Sequence, residues 1–574
     1  YAMQQATLVR RLQGLTGMLF VGLFCAAAAI ASPAQAPDTL VNFTGANGAN
    51  PANMSMIQGT DGNLWGTTLY GGATYGVGNE GYGEVFKMTP SGVSTIVYSF
   101  CSLANCTDGS YPYDSLVQGS DGNFYGTTSG GGAYSNGTVF KLTPQGKLTT
   151  LHNFCEVQGC PDGTNVYAGL IQASNGDFYG VTAGGGMDCG SCDGTFFKIT
   201  AKGVLTTLYT FHGGSEGSSP AGLIQGSSGL FYGTTTFGGQ GEIGGSGTVF
   251  KMTAAGDLTT LYEFCAQSGC PDGSNPEASV VQGSDGNFYG TTSAGGTNNL
   301  GTVFKITPKG KLTTLYSFSL DVGYHPNSPL IQATDGNFYG TTYDGDGDQC
   351  GTGCVFQITS SGVFTNVVDF ATEAEGRYPL GGVNQDTNGN FYGSTYQGGA
   401  GGDGADSGTL FEWTTGFGPF VATAPTFGKE EAKIGILGQG FSSSSVVKFG
   451  GTKATTIVLS GTTFITATVP AGAMTGAVTV TTGSTTLTSP QTFKVTPTIT
   501  AFAPPSGPVG TSVTITGTGL KQATKVAFDG KSATFTVISD TEVTADVPAD
   551  AVTGKITVTT KGGSAVSATS FTVD

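Results

Sequence analysis

The sequence predicts an all-β protein: a seven-bladed β-propeller whose last blade is closed by an N-terminal strand, followed by two immunoglobulin-like β-sandwiches. Three observations predict this fold. An octet close to DGNFYGTT recurs seven times, starting at residues 61, 121, 175, 228, 285, 335 and 388. Charged residues make up only 11% of the chain and Gly accounts for 97 of its 574 residues, which indicates strands joined by tight turns. Beyond residue 419 the octets stop, and two segments of similar sequence follow.

The first element, residues 1–36, is predicted to be a signal peptide. Two arginines precede an apolar stretch at 15–31, and Ala34-Gln35-Ala36 fits a small-x-small cleavage site. A membrane anchor is the alternative, which we disfavour because the apolar stretch is short and rich in Ala. The prediction implies a secreted or cell-surface protein with no stable membrane span after cleavage.

The second element is the propeller, at residues 37–418. One full unit runs from Leu116 to Phe154 and contains four candidate strands, which are SLVQ, NFYGTT, GTVFKLT and LTTLHNF. Asp-Gly at 121–122 joins the first two strands and Pro-Gln-Gly at 144–146 joins the last two, and both are hairpin turn sequences. Four antiparallel strands repeated at intervals of 50 to 60 residues predict one blade per repeat.

The last blade is predicted to be split between the two ends of the propeller. GTLFEWTT at 408–415 is not followed by a strand like LTTLYSF, whereas DTLVNF at 38–43 resembles this missing fourth strand. We therefore expect 38–43 to pair with 408–415. The pairing would close the ring and leave no open sheet edge.

The octet itself is interpreted as scaffold rather than as a site used seven times. Its Asp-Gly turn belongs to the face of short, uniform turns. Because side chains alternate along a strand, Phe124 and Tyr125 are expected to point into different blade interfaces, and Gly126 to allow close backbone packing. The long, variable loops share the opposite face, where binding sites are usually built on rigid scaffolds. These loops include residues 71–83, 101–114, 184–194 and 343–354.

Ten cysteines fall in five local pairs, all on the loop face, and we interpret them as disulfides of an exported chain. The pairs are Cys101/Cys106, Cys155/Cys160, Cys189/Cys192, Cys265/Cys270 and Cys350/Cys354. A zinc site at 189–192 or 350–354 is the alternative. A redox role for the CxxC at 189–192 is disfavoured, because no thioredoxin-like βαβ pattern surrounds it.

Loop-face tyrosines are the candidate ligand-binding residues, because exposed Tyr can stack on sugars and hydrogen-bond to their hydroxyls. The alternative is that they pack the loops against each other. The candidates are Tyr75, Tyr82, Tyr111, Tyr113, Tyr134, Tyr324 and Tyr343.

A calcium site is predicted at Asp344, Asp346 and Asp348, because alternating carboxylates on a Gly-rich loop suit a hard cation. The EF-hand pattern would continue to a bidentate Glu, which is missing here, and a solvated loop is the alternative. His152 takes the place that Tyr209, Tyr262 and Tyr316 hold in other units and is interpreted as a packing variant.

The octet, within units such as GTVFKLTPQGKLTTLHNF, resembles the GloVer-type tandem repeat of exported bacterial proteins over about residues 38–418. This resemblance implies a repeat protein and carries no established activity with it.

The third and fourth elements, 419–495 and 496–574, resemble IPT/TIG domains, which are immunoglobulin-like sandwiches. The second copy carries Pro504-Pro505-Ser506-Gly507, Gly510-Thr511, Ile515-Thr516-Gly517, Val547-Pro548 and Thr553-Gly554, and the first carries Gly438-Gln439-Gly440, Val469-Pro470 and Thr475-Gly476. In the first copy GKEEAKIG replaces the usual Pro-x-x-Gly opening. The domain type implies a spacer or adhesion module.

The leading functional prediction is a monomeric secreted or cell-surface binding protein that presents the loop face to a glycan or protein. One alternative is an extracellular polysaccharide-active enzyme, a lyase or glycosidase, that uses loop-face carboxylates. Another is a structural component of a surface layer or matrix. Catalysis is the less favoured prediction because no nucleophile motif is recognisable, and the net charge of −17 argues against nucleic-acid binding.

Overall fold

The computed structural model describes residues 34–51, 54–73, 75–76, 80–186, 193–239, 245–345, 350–399 and 406–574. These residues form an all-β protein. Within them, helical structure is limited to four short 3-10 turns, which are Ala104–Cys106, Gly214–Glu216, Leu320–Val322 and Leu520–Gln522. In the same part of the chain, no helix has the length and apolar character needed to cross a membrane. The predicted signal peptide, apart from residues 34–36, lies outside it.

Seven four-stranded antiparallel sheets, numbered here in the order of their octets, occupy the described residues from 38 to 413. Sheet 1 contains Ile57–Gln58, Leu64–Thr68, Glu84–Met88 and Ser94–Ser99. Sheet 2 contains Val117–Gln118, Phe124–Thr128, Thr138–Leu142 and Leu148–Asn153. Sheet 3 contains Ile171–Gln172, Phe178–Thr182, Thr195–Ile199 and Leu205–Thr210.

The next three sheets repeat this layout, with strands hydrogen-bonded in chain order. Sheet 4 contains Ser218–Gln225, Phe231–Phe237, Thr248–Met252 and Leu258–Glu263. Sheet 5 contains Val281–Gln282, Phe288–Thr292, Thr302–Ile306 and Leu312–Ser317. Sheet 6 contains Ile331–Gln332, Phe338–Thr342, Cys354–Ile358 and Phe364–Asp369.

Sheet 7 is built from both ends of this region, as the sequence predicts. Its strands are Asn384–Gln385, Phe391–Thr395, Thr409–Trp413 and Asp38–Asn42. Asp38–Asn42 pairs antiparallel with Thr409–Trp413, so that Thr39 lies opposite Phe411 and Asn42 opposite Thr409. The predicted pairing of 38–43 with 408–415 is therefore confirmed.

The same type of hydrogen bond joins each sheet to the next, and it also joins sheet 7 to sheet 1. The first-strand glutamine of each sheet accepts a hydrogen bond from a backbone N–H in the octet turn of the preceding sheet. Gln118 accepts from Thr60 at 2.8 Å, and Gln58 of sheet 1 accepts from Thr387 of sheet 7 at 3.4 Å. The other members are Gln172, Gln225, Gln282, Gln332 and Gln385.

The octet strand forms the core of every sheet. All five residues of Phe124–Thr128 are buried, and the equivalent positions in the other six sheets are buried as well. Phe124 stacks on Trp65 of sheet 1 and Tyr125 on Phe178 of sheet 3, each with ring centroids 4.0 Å apart. The two aromatic residues therefore face opposite neighbours, and burying such side chains contributes about 1.5–3 kcal/mol each.

Glycine is required in this strand because an aromatic ring lies against it. A Cβ added at Gly126 would lie 2.6 Å from Cζ of Phe140 in the adjacent strand. Gly180, Gly233 and Gly290 have the same contact with the equivalent Phe. The expectation of close packing at Gly126 is confirmed.

The octet turn is closed by its own side chains. Asp121 Oδ2 accepts hydrogen bonds from the Tyr125 hydroxyl at 2.9 Å, from the Asn123 amide at 2.9 Å and from Lys141 Nζ at 2.7 Å. Although partial burial raises the pKa of Asp121, these donors outweigh it and lower the pKa to about 2. The polar groups of the octet are thus used internally, and its role is structural.

Four further sheets follow residue 418. Sheet 8 contains Ala422–Ala424, Lys433–Leu437, Phe464–Thr468 and Ile457–Ser460. Sheet 9 contains Phe427–Gly428, Thr485–Val495, Gly476–Thr482, Val446–Phe449 and Thr452–Lys453. Sheet 10 contains Thr498–Ala503, Ser512–Thr518, Glu542–Asp546 and Phe535–Val537. Sheet 11 contains Ser506–Gly507, Gly563–Val573, Gly554–Thr560, Ala523–Phe528 and Lys531–Ala533.

Sheets 8 and 9 repeat the strand order of sheets 10 and 11. In each pair the five-stranded sheet has one parallel contact, between its short first strand and its longest strand. Ile436 of sheet 8 and Phe449 of sheet 9 belong to one buried cluster, and Ile515 and Phe528 belong to the equivalent cluster of the second pair. The two halves of the C-terminal region therefore have the same core arrangement.

The C-terminal region contacts the octet-turn side of sheet 7. The backbone N–H of Phe420 donates to the Thr387 carbonyl at 3.0 Å, and the Gln439 amide donates to Thr387 Oγ1 at 3.0 Å. The octet-turn face therefore supports the C-terminal domains, whereas the long loops lie at the other end of the strands.

Glu84 makes the stability of sheet 1 depend on pH. It is fully buried where sheets 2 and 3 have Thr138 and Thr195, its Oε1 accepts from Ser99, and its Oε2 has no hydrogen-bond partner. Burial raises its pKa to about 7, although the Ser99 hydrogen bond opposes the rise. Folding thus favours the protonated form, and the resulting stability is complete below about pH 4.5 and lost as pH rises through 7.

We expect Glu84→Thr to remove this dependence. As pH rises from 5 to 8, the free energy of unfolding of the variant should increase relative to that of the wild type by on the order of 2 kcal/mol, after allowance for partial solvent screening. Urea unfolding at both pH values measures the difference. Equal changes with pH in the two proteins would show that Glu84 does not control it.

Candidate functional site

Each repeat has a non-glycine residue with a left-handed backbone nine to eleven residues before its octet. These residues have φ between 52° and 59°, and they are Asn50, Tyr111, Asn165, Ser219, Asn275, His325 and Tyr378. The conformation costs a non-glycine residue on the order of 1 kcal/mol and persists only where the surrounding structure fixes it.

Hydrogen bonds on both sides fix this residue. The N–H of Tyr111 donates to the Tyr82 carbonyl in the preceding sheet's loop at 2.8 Å, and its carbonyl accepts from Ser129 of its own sheet at 3.0 Å. His325 repeats the pattern, with its N–H donating to Leu300 at 3.0 Å and its carbonyl accepting from Tyr343 at 3.2 Å. The residues that follow are therefore held relative to two sheets at once.

The residue two places after the left-handed one differs from sheet to sheet. At this position, called here the mouth position, the described residues are Tyr113, Tyr167, Ala221, Glu277, Asn327 and Leu380, and Ala52 lies outside the described part of the chain. The first five line one cavity of about 480 Å³. Its wall also includes Thr236 and Phe237, so the cavity lies at the end of the strands that carries the long loops.

One side of the cavity is aromatic. The rings of Tyr113 and Tyr167 have centroids 5.1 Å apart and an interplanar angle of 58°. Tyr167 is 46% exposed and Phe237 is 48% exposed, an unusual state for large side chains that have a core nearby. Burial, followed by the charge of Glu277, raises the pKa of Tyr113 to about 12. Its hydroxyl therefore stays protonated and can donate to a ligand.

The other side offers hydrogen-bond acceptors. Oδ1 of Asn327 is buried and has no hydrogen-bond partner. Glu277 is exposed, and its Oε1 accepts from the Ser293 hydroxyl at 2.9 Å. An unsatisfied buried acceptor costs about 1–3 kcal/mol, and a rotation of the Asn327 side chain toward the cavity would let a ligand donate to this oxygen and remove the penalty.

Asp114 also lines the cavity, but its carboxylate is engaged by the backbone. Oδ1 accepts from the Ser115 N–H at 2.5 Å, and Oδ2 accepts from the Gly169 N–H at 2.8 Å. Loss of solvent raises the pKa of this carboxyl, and the two backbone hydrogen bonds oppose the rise. Asp114 thus links sheets 2 and 3 at the cavity wall.

Of the seven tyrosines predicted from the sequence, Tyr113 lines the cavity. Tyr82 and Tyr111 contact each other with centroids 5.6 Å apart, and Tyr343 stacks on Tyr378 at 4.8 Å. Tyr324 donates to the Asp344 carboxylate. The last two, Tyr75 and Tyr134, are exposed by 40% and 42%. Tyr167, Phe237, Glu277 and Asn327 also line the cavity, and none of them was predicted from the sequence.

The predicted calcium loop is described only in part. Asp344 accepts hydrogen bonds from the Tyr324 hydroxyl at 3.2 Å and from the Gly345 N–H at 2.8 Å, whereas Asp346 and Asp348 lie outside the described residues. Among the residues with assigned positions, no three His, Cys, Asp or Glu side chains form a group that could hold a metal ion.

Four of the five predicted disulfides are present. They are Cys101–Cys106, Cys155–Cys160, Cys265–Cys270 and Cys350–Cys354. The fifth pair, Cys189 and Cys192, lies outside the described residues. At 350–354 the two sulfurs are bonded to each other, which favours the disulfide over the zinc alternative.

His152 is a structural variant of a tyrosine. Its Nε2 lies 2.8 Å from Asp162 Oδ2, and the Tyr262 hydroxyl donates to Asp272 at the same distance in sheet 5's connection. The ring also packs edge-on against Phe154, as Tyr262 packs against Phe264. The interpretation of His152 as a packing variant is confirmed.

The mouth position could have been found by aligning the seven repeats with one another. Its neighbours keep their character, because Pro precedes it in six of the seven repeats and the first strand follows. The position itself takes aromatic, acidic, amide and small residues. Variation at one position inside a constant frame is the signal expected of a site that contacts a ligand.

Comparison with family models gives two matches. A model described as the Gloeobacter/Verrucomicrobia repeat matches residues 29–159, 72–271 and 242–464. A model of the IPT/TIG domain matches residues 497–573. No curated protein matches the chain.

Solved structures show weak similarity. A streptogramin B lyase is 16% identical, with 64% of this chain and 95% of that chain covered and a TM-score of 0.42. A fungal alcohol oxidase in complex with copper is 12% identical, with 92% and 98% covered and a TM-score of 0.37. The SGBP-B protein of a xyloglucan utilization locus in Bacteroides uniformis is 20% identical, with 26% and 48% covered and a TM-score of 0.14. With TM-scores below 0.5, these similarities assign no activity.

Proposed function

This chain belongs to the Gloeobacter/Verrucomicrobia repeat family and carries an IPT/TIG domain, and from that premise we propose that it is an extracellular binding protein that holds one carbohydrate ligand in the cavity at the mouth positions. In this proposal sheets 1 to 7 are the blades of one closed propeller, and residues 419–495 and 496–574 are two immunoglobulin-like spacers. The four disulfides and the IPT/TIG domain fit an extracellular location.

One observation carries the proposal: exposed aromatic rings and an unpartnered acceptor line the same cavity. Tyr113, Tyr167 and Phe237 offer apolar faces, while Asn327 offers a buried oxygen without a partner. Sugars have both an apolar ring face and hydroxyl donors, so they satisfy both groups together. A cavity of about 480 Å³ falls in the usual range for small ligands, and it suits part of a glycan better than a folded protein.

The hydrogen bonds around Asp114 favour binding over glycoside hydrolysis. A glycosidase needs two carboxyl groups placed on either side of the bond that breaks, and one of them must exchange a proton with the substrate. Both oxygens of Asp114 accept from backbone N–H groups. That leaves Glu277 as the cavity carboxylate able to contact a ligand.

A glycan panel tests the proposal. The mature protein, beginning after residue 36, is expected to bind at least one oligosaccharide and to release neither reducing nor unsaturated ends from a polysaccharide panel. Release of such ends would favour the enzyme alternative. Binding to no glycan, together with self-assembly of the protein into sheets or fibres, would favour a structural role.

A further inference from the structure

The octet turns of sheets 2 and 5 contain a charge-balanced cluster. Lys141 Nζ lies 2.7 Å from Asp121 Oδ2, and Lys305 Nζ lies 2.8 Å from Asp285 Oδ2. A tyrosine hydroxyl donates to the same carboxylate at 2.9 Å in both sheets. One ammonium group therefore neutralises one carboxylate in each turn.

Sheet 7 has the same framework with opposite charges. Asn388 replaces the octet Asp, Glu412 replaces the Lys, and Asp386 replaces the Gly found at 119 and 283. The tyrosine is retained as Tyr392, and its hydroxyl donates to Glu412 Oε1 at 3.1 Å. This turn thus contains two carboxylates and no ammonium group, whereas the turns of sheets 2 and 5 each contain one carboxylate and one ammonium group.

The two carboxylates share one cluster. In sheet 5, a Cβ added at Gly283 would lie 3.0 Å from Asp285 Oδ1 and 2.8 Å from the ring of Tyr289. By the equivalence of the repeats, the side chain of Asp386 begins beside position 388 and the ring of Tyr392, whose hydroxyl contacts Glu412. Burial, and to a lesser degree the charge of Glu412, raise the pKa of Asp386 to about 7 against an opposing Thr387 hydrogen bond.

Asp386 is a buried carboxylate that lacks a compensating partner. The residue is fully buried, and apart from a weak interaction with the Thr387 N–H its carboxylate oxygens have no hydrogen-bond partner. Glu412, by contrast, is partly exposed and accepts from Asn390 and Tyr392 through Oε1. A buried carboxylate with so little hydrogen bonding, beside a second carboxylate, is strongly unfavourable unless a positive charge or a proton compensates for it.

We propose that a calcium ion binds between Asp386 and Glu412, where it takes the place of the ammonium group of sheets 2 and 5. Calcium takes six to eight oxygen ligands from carboxylates, carbonyls and water in a flexible geometry. Two carboxylates supply up to four of these oxygens, and the partly exposed Glu412 gives the ion a route from solvent. Magnesium suits the position less well, because it requires near-ideal octahedral geometry.

The site lies next to the contact between sheet 7 and the C-terminal region. Thr387 follows Asp386 directly and accepts hydrogen bonds from both Phe420 and Gln439. A bound ion would hold this turn in place and, through it, the first C-terminal domain. Calcium would then stabilise the junction rather than the glycan cavity at the opposite end of the strands.

Two variants test the site. The full chain, freed of divalent ions, is titrated with calcium chloride by calorimetry and by thermal unfolding. We expect the wild type to bind calcium and to unfold at a higher temperature in its presence. Asp386→Gly, which restores the residue of sheets 2 and 5, should weaken this binding at least ~10-fold, because it removes the buried ligand. Glu412→Lys should abolish the response to calcium while keeping the calcium-free stability at or above that of the wild type.

The Glu412→Lys variant is expected to fold, because its ammonium group supplies the positive charge beside Asp386 that calcium would otherwise supply. Loss of the calcium response in this variant therefore cannot be attributed to misfolding. Asp344→Asn is the control, and it should leave this response unchanged if the loop at 344–348 is not its source. A calcium response that survives Glu412→Lys would overturn the proposal. So would a wild type whose thermal stability is the same with and without calcium.

Discussion

A chain that begins at Thr44 is expected to be much less stable than a chain that begins at Ala34. The shorter chain lacks the strand Asp38–Asn42 and with it the buried side chains of Val41 and Phe43. Each of these contributes about 1.5–3 kcal/mol by burial. The strand Thr409–Trp413 would also become an open edge, which promotes aggregation.

Tryptophan fluorescence in a urea titration measures this effect through the two sheets that meet at the closing contact. The chain has two tryptophans, and Trp65 belongs to sheet 1 and Trp413 to sheet 7, on either side of the closing contact. The point variant Phe43→Ala should cost about 3–5 kcal/mol, whereas Thr39→Ala in the strand just before it should cost under ~1 kcal/mol. Equal stability of the chains starting at 34 and at 44 would contradict closure by this strand.

Tyr167→Ala is expected to weaken glycan binding at least ~10-fold, which corresponds to about 1.4 kcal/mol or more. Tyr167 is half exposed at the cavity wall and contacts Tyr113, so its removal takes away stacking area without opening the core. Tyr113→Ala should have an effect of the same order. Calorimetric titration with the tightest oligosaccharide from the glycan panel provides the measurement.

Two control variants distinguish the cavity from other surfaces. Tyr134→Ala removes a tyrosine of similar exposure that does not line the cavity, and its affinity should stay within ~2-fold of the wild type. Asp121→Ala removes the side chain that closes an octet turn and should lower stability with no change in affinity. If Tyr134→Ala or Asp121→Ala reduced the affinity as much as Tyr167→Ala does, the ligand would not be in this cavity.

Much of the repeat structure could be predicted because its signals are local. The Asp-Gly turn, the alternation of Phe124 and Tyr125, and Gly126 each act within a few residues, and each has the contact expected of it. The closing strand could be predicted because 38–43 resembles the strand missing after 408–415. The link between sheets through Gln118 and its equivalents was not predicted, since its partner lies one repeat away.

The sequence indicated that the site lies on the face of the long loops, but it did not indicate which loop residues form it. Which loop tyrosine lines the cavity depends on the left-handed residue before the first strand, since that residue sets the direction of the side chain two places later. Tyr111 and Tyr113 are two residues apart, yet Tyr111 packs against Tyr82 and only Tyr113 lines the cavity. Residue type alone does not distinguish these two tyrosines, and the backbone conformation determines which of them lines the cavity.

The number of ligands bound per chain tests the assignment most directly. The octet occurs seven times, whereas the mouth positions line one cavity. Calorimetric titration of the mature protein with its glycan is expected to give one ligand per chain, with that binding lost in the Tyr113→Ala, Tyr167→Ala double variant. A stoichiometry near seven, or one ligand per chain that the double variant still binds with full affinity, would contradict a single site at the mouth positions.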